Sequence, residues 1–480
     1  MFKRTVLSAL AAGLLAIPAA AHAAAPTDPQ AGSQQPLQIM RVGEALDLAG
    51  RPLQDIPVLV ADTGLDLDHP DIQPRLFNLP APVPAPDPDG VGNLGNVPAG
   101  TGGWDLIGTN APGNLAPDND PTDPAGGSGH GTAVAGLLGA AWNNGQGGAG
   151  VAPNARFIPL RTCWDGDGCY EYVQAAAINW AADRGARVAS FSWLSGNPIE
   201  AGFRDSIQNA TNTLFVTIPS GNGFDGNVDG NDPMPCNLNA PNVLCVSTSS
   251  PTDDTDCGGW GPNVVDVAVP TQNSVFTANG GGFAATGCAT SFAAPTAAGV
   301  ATILFGFDPT ATPGDVKAAI VDSARKVPSW AGKSQSGGII DVAAAVSLFQ
   351  QRRGIPNGTG QNGTPPPGGT QTPIPTPKPP TKDTTKPTLT AKLKGFRLTL
   401  TLSEKAKVTV TVQRRMRTKK GRVVWTTVTT STKSLRKGTS TLTVSAGKKP
   451  KRGSYRALVR AKDAAGNTSK SRTVSFSVKK

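Results

Sequence analysis

Three residues of unlike chemistry stand where apolar runs begin or end. Asp62 closes Ile56-Pro-Val-Leu-Val-Ala-Asp, and His130 opens His-Gly-Thr-Ala-Val-Ala-Gly after a glycine-rich approach. Ser291 lies where the turn Thr286-Gly-Cys-Ala-Thr runs into an Ala-rich stretch reaching Gly306. A hydroxyl attacks a carbonyl efficiently when a base takes its proton, a carboxylate holds that base, and N–H groups receive the oxyanion. Ser291 falls at a loop-to-helix junction, with Pro295 placed for a first helical turn, where unpaired backbone N–H groups and the helix dipole favour negative charge. Taken singly, the residues have plainer readings: an N-cap serine, a turn aspartate, a packed histidine. The histidines narrow the choice, since only His22, His69 and His130 occur. His22 lies in the leader, and His69, in Leu-Asp-Leu-Asp-His-Pro-Asp, reads as structural. Asn222, in Pro-Ser-Gly-Asn-Gly, adds a side-chain amide that can donate to an oxyanion.

The elements that would position these groups can be read around them. Residues Ile56–Asp62, Ala152–Leu160, Arg187–Trp193, Thr213–Ile218, Val243–Ser247 and Val264–Val269 read as strands. Glu171–Arg184 and the stretches after His130 and Ser291 have helical composition. Nearly continuous apolar strands are buried on both faces, and their alternation with helices predicts an α/β fold, a parallel sheet with helices on both faces. Such sheets place their sites past the C-terminal ends of strands, where Asp62 and Asn222 both fall. Residues 24–55 read as polar and Pro/Gly-containing, and 80–128 as a long surface excursion without periodicity.

The motifs Val-Ala-Asp62-Thr-Gly, His130-Gly-Thr-Ala-Val-Ala-Gly, Pro-Ser-Gly-Asn222 and Ala-Thr-Ser291-Phe-Ala-Ala-Pro together resemble the subtilisin-like (subtilase) serine proteases, over roughly residues 40–350. The resemblance implies a serine endopeptidase acting on protein or peptide: Ser291 as nucleophile, His130 as general base, Asp62 holding the imidazole, and Asn222 with the Ser291 N–H as oxyanion donors. Ser192, Trp193, Leu194 and Gly196 resemble the family's substrate-lining strand, and Ser220 and Gly221 would floor the specificity pocket. Ala289 stands where the family's serine motif usually has Gly, and no sizeable inhibitor-like prodomain is evident. The rival reading is a catalytically idle surface-binding protein on a subtilase scaffold.

Met1–Ala23 reads as a secretory signal, with Lys3 and Arg4, an apolar run and Ala21-His22-Ala23 as the cleavage site, so the mature chain is expected outside the cell without a transmembrane helix. Six cysteines then point to disulfides; Cys163/Cys169 and Cys236/Cys245 close small loops, leaving Cys257 with Cys288. No cofactor is required for the chemistry. Calcium is common in the family, and Asp225, Asn227 and Asp229 supply oxygens at alternate positions, although no glutamate closes that loop and a solvated polar loop is the simpler reading.

The chain parses as a signal (1–23), a catalytic domain (24–353), a Pro/Thr/Gly-rich spacer (354–387) and a basic module (388–480). Val/Thr-rich runs at 397–403, 407–413, 422–431, 440–445 and 454–461 predict a small all-β sandwich, similar to bacterial immunoglobulin or fibronectin-like modules. Residues 381–480 hold 27 Lys/Arg against Asp383, Glu404 and Asp463, leaving 17 basic and 31 acidic residues for the rest. Such a tail is expected to hold an anionic polymer at the cell surface; export disfavours nucleic acid.

Overall fold

In the computed structural model the described residues are 25–478, apart from 89–93, 109–114, 125, 167, 194–198, 224–225, 230–234, 239, 357–385, 395, 404–405, 418–422, 436–437, 445–450 and 463–466. The signal reading and most of the spacer therefore lie outside them. Two compact units emerge, Met1–Pro367 and Gly368–Lys480.

The main strands of the first unit include β1 (Ile56–Asp62), β2 (Trp104–Asp105), β3 (Ala155–Arg161), β4 (Val188–Ser190), β5 (Phe215–Pro219), β6 (Val243–Ser249) and β7 (Val267–Pro270). A hairpin, β8 (Val275–Ala278) and β9 (Gly282–Ala285), precedes β10 (Arg325–Lys326) and β11 (Gly338–Ile339). Among the described residues one nine-stranded sheet runs β10-β11-β7-β6-β5-β4-β1-β3-β2, parallel except where β10 pairs β11. Its helices are α1 (Gln35–Ile39), α2 (Val42–Asp47), α3 (His130–Gly139), α4 (Glu171–Ala182), α5 (Ala201–Asn209), α6 (Thr290–Phe307), α7 (Pro313–Ser323) and α8 (Val342–Arg353).

The period-two rule accounts for the doubly apolar strands. Val58, Val60 and Phe157 enter one core with α3, α6, α7 and α8, while Leu59, Ala61 and Ile158 enter another with α4 and α5. Helices α3 and α6 approach closely at Gly299, where a Cβ would lie 2.6 Å from Val151 Cβ and 2.9 Å from the Leu138 carbonyl oxygen. Helix α6 is the one described helix long and apolar enough to cross a membrane, but 89% of it is buried inside the domain.

Two segments differ from the sequence reading. Residues 35–47 form α1 and α2 and bury Met40, Val42 and Ala45 in the first core. The 80–128 excursion is not wholly superficial: Trp104–Asp105 extends the sheet beside β3, and Leu106 and Ile107 are fully buried. A two-residue strand has no periodicity to read; Asp105 is fixed instead by a buried ion pair with Arg161, 2.6 Å apart, and by the N–H groups of Ile107 and Gly108.

The second unit comprises β12 (Leu389–Lys394), β13 (Arg397–Leu402), β14 (Ala406–Arg417), β15 (Val423–Leu435), β16 (Gly438–Thr443), β17 (Gly453–Lys462) and β18 (Arg472–Val478). Sheets β12-β13-β16 and β15-β14-β17-β18 share a core containing Leu398, Leu400, Val408, Val410, Tyr455 and Val459. The first and last strands, β12 and β18, were not legible in the sequence.

Candidate active site

Strand β1 delivers Asp62 at its C-terminal end, where its side chain is 4% exposed and its Oδ1 lies 2.7 Å from His130 Nδ1. The same oxygen accepts the Thr63 N–H. His130 is the first residue of α3, and the chain enters that helix through Gly129 at φ 67°, a left-handed conformation glycine adopts without strain. Gly131 lets the helix start press on the strand end, since a Cβ there would lie 2.1 Å from the Gly64 carbonyl oxygen. The attractive charge of Asp62 raises the His130 pKa above the ordinary imidazole value, against the opposing effect of burial. His130 remains 31% exposed, and its ring stacks near Phe292, centroids 6.4 Å apart.

Ser291 is the second residue of α6 and half-buried. The helix begins at Thr290, so Pro295 lies beyond the first turn rather than in it. The difference has a local consequence. Pro295 has no N–H to give the carbonyl four residues back, which is that of Ser291. Ser192 Oγ donates to that carbonyl instead, at 2.9 Å.

Asn222 is exposed, and its Oδ1 accepts from the Thr290 N–H at 2.7 Å and the Thr290 hydroxyl at 2.9 Å. With Oδ1 so engaged, the amide Nδ2 is the end left to donate. The loop 257–259 ties this region together: Gly223 N–H donates to the Cys257 carbonyl, Gly259 N–H to that of Gly221, and Asn222 bridges Gly258. Cys257 is disulfide-bonded to Cys288, three residues before Ser291. The other bridges are Cys163–Cys169 and Cys236–Cys245, so the three pairings match those read from the spacing.

This sheet order, with a histidine-led helix paired to a strand-end aspartate, invites comparison with known proteins. The subtilase family pattern matches residues 54–353. Thermitase of Thermoactinomyces vulgaris is 30% identical over 323 residues, covering 67% of this chain and 99% of its own. The chain belongs to the subtilase family. It is a subtilisin-like serine endopeptidase. Subtilisin E of Bacillus subtilis is 26% identical over 304 residues, spanning 63% of this subtilase and 68% of its own length. An extracellular protease of Xanthomonas campestris pv. campestris matches over 40% of its length, at 29% identity. Among solved structures, a protease from Pseudoalteromonas arctica superposes with TM-score 0.54 at 25% identity, covering 68% of this chain and all of its own.

Around the subtilase site, Ser192 and Trp193 follow β4, but Trp193 is buried against Phe191 and Phe203, ring centroids 6.1 and 5.4 Å away, so its side chain belongs to the core rather than to an open surface. Ser220 is fully buried with its hydroxyl donating to the Gly259 carbonyl, and Gly221 follows at φ 99°. Leu194 and Gly196 lie outside the described residues. His69 is structural: fully buried, it bonds the Gly282 carbonyl through Nε2 and accepts the Asp71 N–H at Nδ1.

The loop offered for calcium fits a cation poorly. Asp225 is outside the described residues, Asn227 Oδ1 accepts the Asp229 N–H, and the Asp229 carboxylate already accepts from Asn263 N, Asn263 Nδ2 and Val264 N. A cluster the sequence reading missed fits better. Asp71 is fully buried; Asn144 Nδ2 donates to its Oδ1, and its Oδ2 has no partner among the described residues. Burial pushes the Asp71 pKa up, and the nearby Asp28 charge adds to that rise.

Thr63 and Asp123 were also missed. The Thr63 hydroxyl accepts the Gly131 N–H at 3.1 Å and donates to Asp123 Oδ2 at 3.2 Å, linking the residue after Asp62 to the residue after His130. Burial pushes the Asp123 carboxyl up to about 6, with the neighbouring Asp165 and Asp62 charges adding to the rise. Thr63 sits inside a recognised motif, but its partner is distant in sequence.

Proposed function

We propose that the chain is an exported endopeptidase whose nucleophile is Ser291, general base His130 and orienting carboxylate Asp62. The observation that carries the reading is the 2.7 Å bond from His130 Nδ1 to a nearly buried Asp62. Held so, the imidazole keeps its proton on Nδ1 and leaves Nε2 basic. Nε2 takes the Ser291 proton as Oγ bonds to the scissile carbonyl carbon, and the carbonyl π electrons become the oxyanion, held by Asn222 Nδ2 and the Ser291 N–H. The C–N bond then breaks as His130 returns the proton to the leaving amine, giving an acyl-enzyme. Water repeats the sequence, with His130 as base and then acid, to release the acid product and free Ser291.

A fluorophosphonate probe tests this. Labelling of the mature protein is expected to vanish in Ser291→Ala and fall sharply in His130→Ala; undiminished labelling of Ser291→Ala refutes the assignment, and unlabelled folded wild type favours the idle scaffold.

Catalysis itself needs no cofactor. For calcium we assign the position beside Asp71, whose fully buried Oδ2 has no donor among the described residues and lies near the Asp28 charge. Chelation is expected to lower the thermal midpoint of wild type and leave that of Asp71→Asn unmoved. The basic module is read as an anchor for an anionic surface polymer.

A further inference from the structure

The sequence holds no Asp or Glu between Glu404 and Asp463, a stretch that supplies β14 to β17. Three strands of the four-stranded sheet fall wholly within it, and the cations on its outer face have no carboxylate partner among the described residues. Register shows how they align. Val408, Val410 and Val412 face the core, which turns Lys407, Thr409, Thr411, Gln413 and Arg415 outward on β14. Beside them on β17, Lys462 pairs Lys407, Arg460 pairs Thr409 and Arg456 pairs Gln413. Two lysines directly opposite each other repel, and a neighbouring anion would remove that cost.

The Arg456 guanidinium is held in advance. Its Nε donates to Gln413 Oε1 at 2.8 Å, and its plane lies 4.4 Å over the Trp425 ring, leaving the two terminal nitrogens for a forked contact with an oxyanion. Trp425 pairs Arg415 across β14 and β15, and both line an open depression with Ser454 and Ser475. Lys407 to Arg415 spans about 27 Å at the usual strand rise. Along the stripe, threonines are joined across β14 and β15, Thr409 to Thr432 at 3.0 Å and Thr411 to Thr430 at 3.5 Å.

We propose that this outer face, from Lys407 and Lys462 to Arg415 and Arg456, is the seat for one extended chain of a polyol- or glycan-phosphate polymer. The inference rests on the anchoring role proposed above and locates it. Regular cations suit phosphodiesters, and the threonine hydroxyls suit polyol oxygens. Of the rings at the depression, Trp425 is covered by Arg456 and Tyr455 is buried with Phe476 stacked on it, so among the described residues the face has no row of open stacking platforms of the kind single-stranded nucleic acid uses.

The test uses the full mature chain and immobilised poly(glycerol phosphate), with binding measured from about 50 to 500 mM NaCl, where phosphate contacts weaken steeply. Arg456→Gln with Lys407→Gln and Lys462→Gln is compared with an equal charge removal on the other sheet, Lys392→Gln with Lys394→Gln and Arg397→Gln. The first set is expected to lose at least about tenfold at low salt with a shallower salt slope, the second less than about threefold, at unchanged thermal midpoints. Equal losses overturn the assignment of the face while leaving a diffuse anchor. No binding by wild type at low salt overturns the anchoring role itself. Equally tight binding of a single-stranded DNA oligonucleotide overturns the choice of polymer.

Discussion

The contact between Ser192 and the Ser291 carbonyl yields a sharp test of how the proposed nucleophile is held. Ser192→Ala removes a donor to a carbonyl that Pro295 cannot serve. A partly buried acceptor left unpaired costs about 1–3 kcal/mol. If that cost falls on the catalytically competent position of the first turn of α6, kcat drops about 5- to 150-fold, with KM changed far less. The compensating change is Pro295→Ala, which restores an N–H four residues after Ser291. Pro295 is buried, so the single variant also leaves a small void, but that void is common to both arms of a double-mutant cycle and cancels. Ser192→Ala is therefore expected to cost about 1 kcal/mol less in the Pro295→Ala background than in wild type. The assay is kcat and KM on a chromogenic peptide, with thermal midpoints in parallel. A Ser192→Ala variant within about twofold of wild type, or an equal penalty in both backgrounds, refutes the reasoning.

Three further outcomes follow from the site. Because Asp62 raises the His130 pKa above its ordinary value, the basic imidazole is lost earlier as pH falls; Asp62→Asn is expected to shift the acid limb of kcat/KM to lower pH and cut kcat about 10³- to 10⁴-fold, and an unmoved limb refutes the coupling. Asn222→Ala is expected to reduce kcat about 10²- to 10³-fold with KM within a few-fold, as stopped assays on the same peptide would show. Asp123 binds its proton more tightly folded than unfolded, so its contribution to stability is lost as pH rises from about 4 to 6; the thermal midpoint of Asp123→Asn relative to wild type should climb across that window and level off above it, by an amount equivalent to about 3 kcal/mol at most.

Much of this organisation was visible in the sequence because it is local. A continuous apolar run such as Ile56–Asp62 can be satisfied only between two layers, and its terminal carboxylate then lands at the sheet edge where sites form. Glycines flanking His130 and small residues around Ser291 marked where backbones approach. What escaped was held by contacts between distant residues. Thr63 meets Asp123 and Gly131, Arg161 meets Asp105, and Ser192 meets Ser291, none of which leaves a periodic trace. The β8–β9 hairpin, with Gly280 and Gly281 at its turn, was equally silent. Trp193 was placed in the substrate-lining strand by its motif, and its side chain packs with Phe191 and Phe203, a contact no motif signals.

The Cys257–Cys288 bridge joins Asn222 and the start of α6, one residue short of Ser291, in one closed ring of contacts. From Cys288 the ring runs to Thr290, across to Asn222, along the hydrogen-bonded 221–223 and 257–259 segments, and back through sulfur. Loops at the rim of a cleft ordinarily drift independently, and each drift widens the gap a developing charge must be held across. Here the two sides of that gap share a frame made of hydrogen bonds and pinned by one covalent cross-link. A reductant that opens the bridge would leave Asn222 and the start of α6 joined by hydrogen bonds alone.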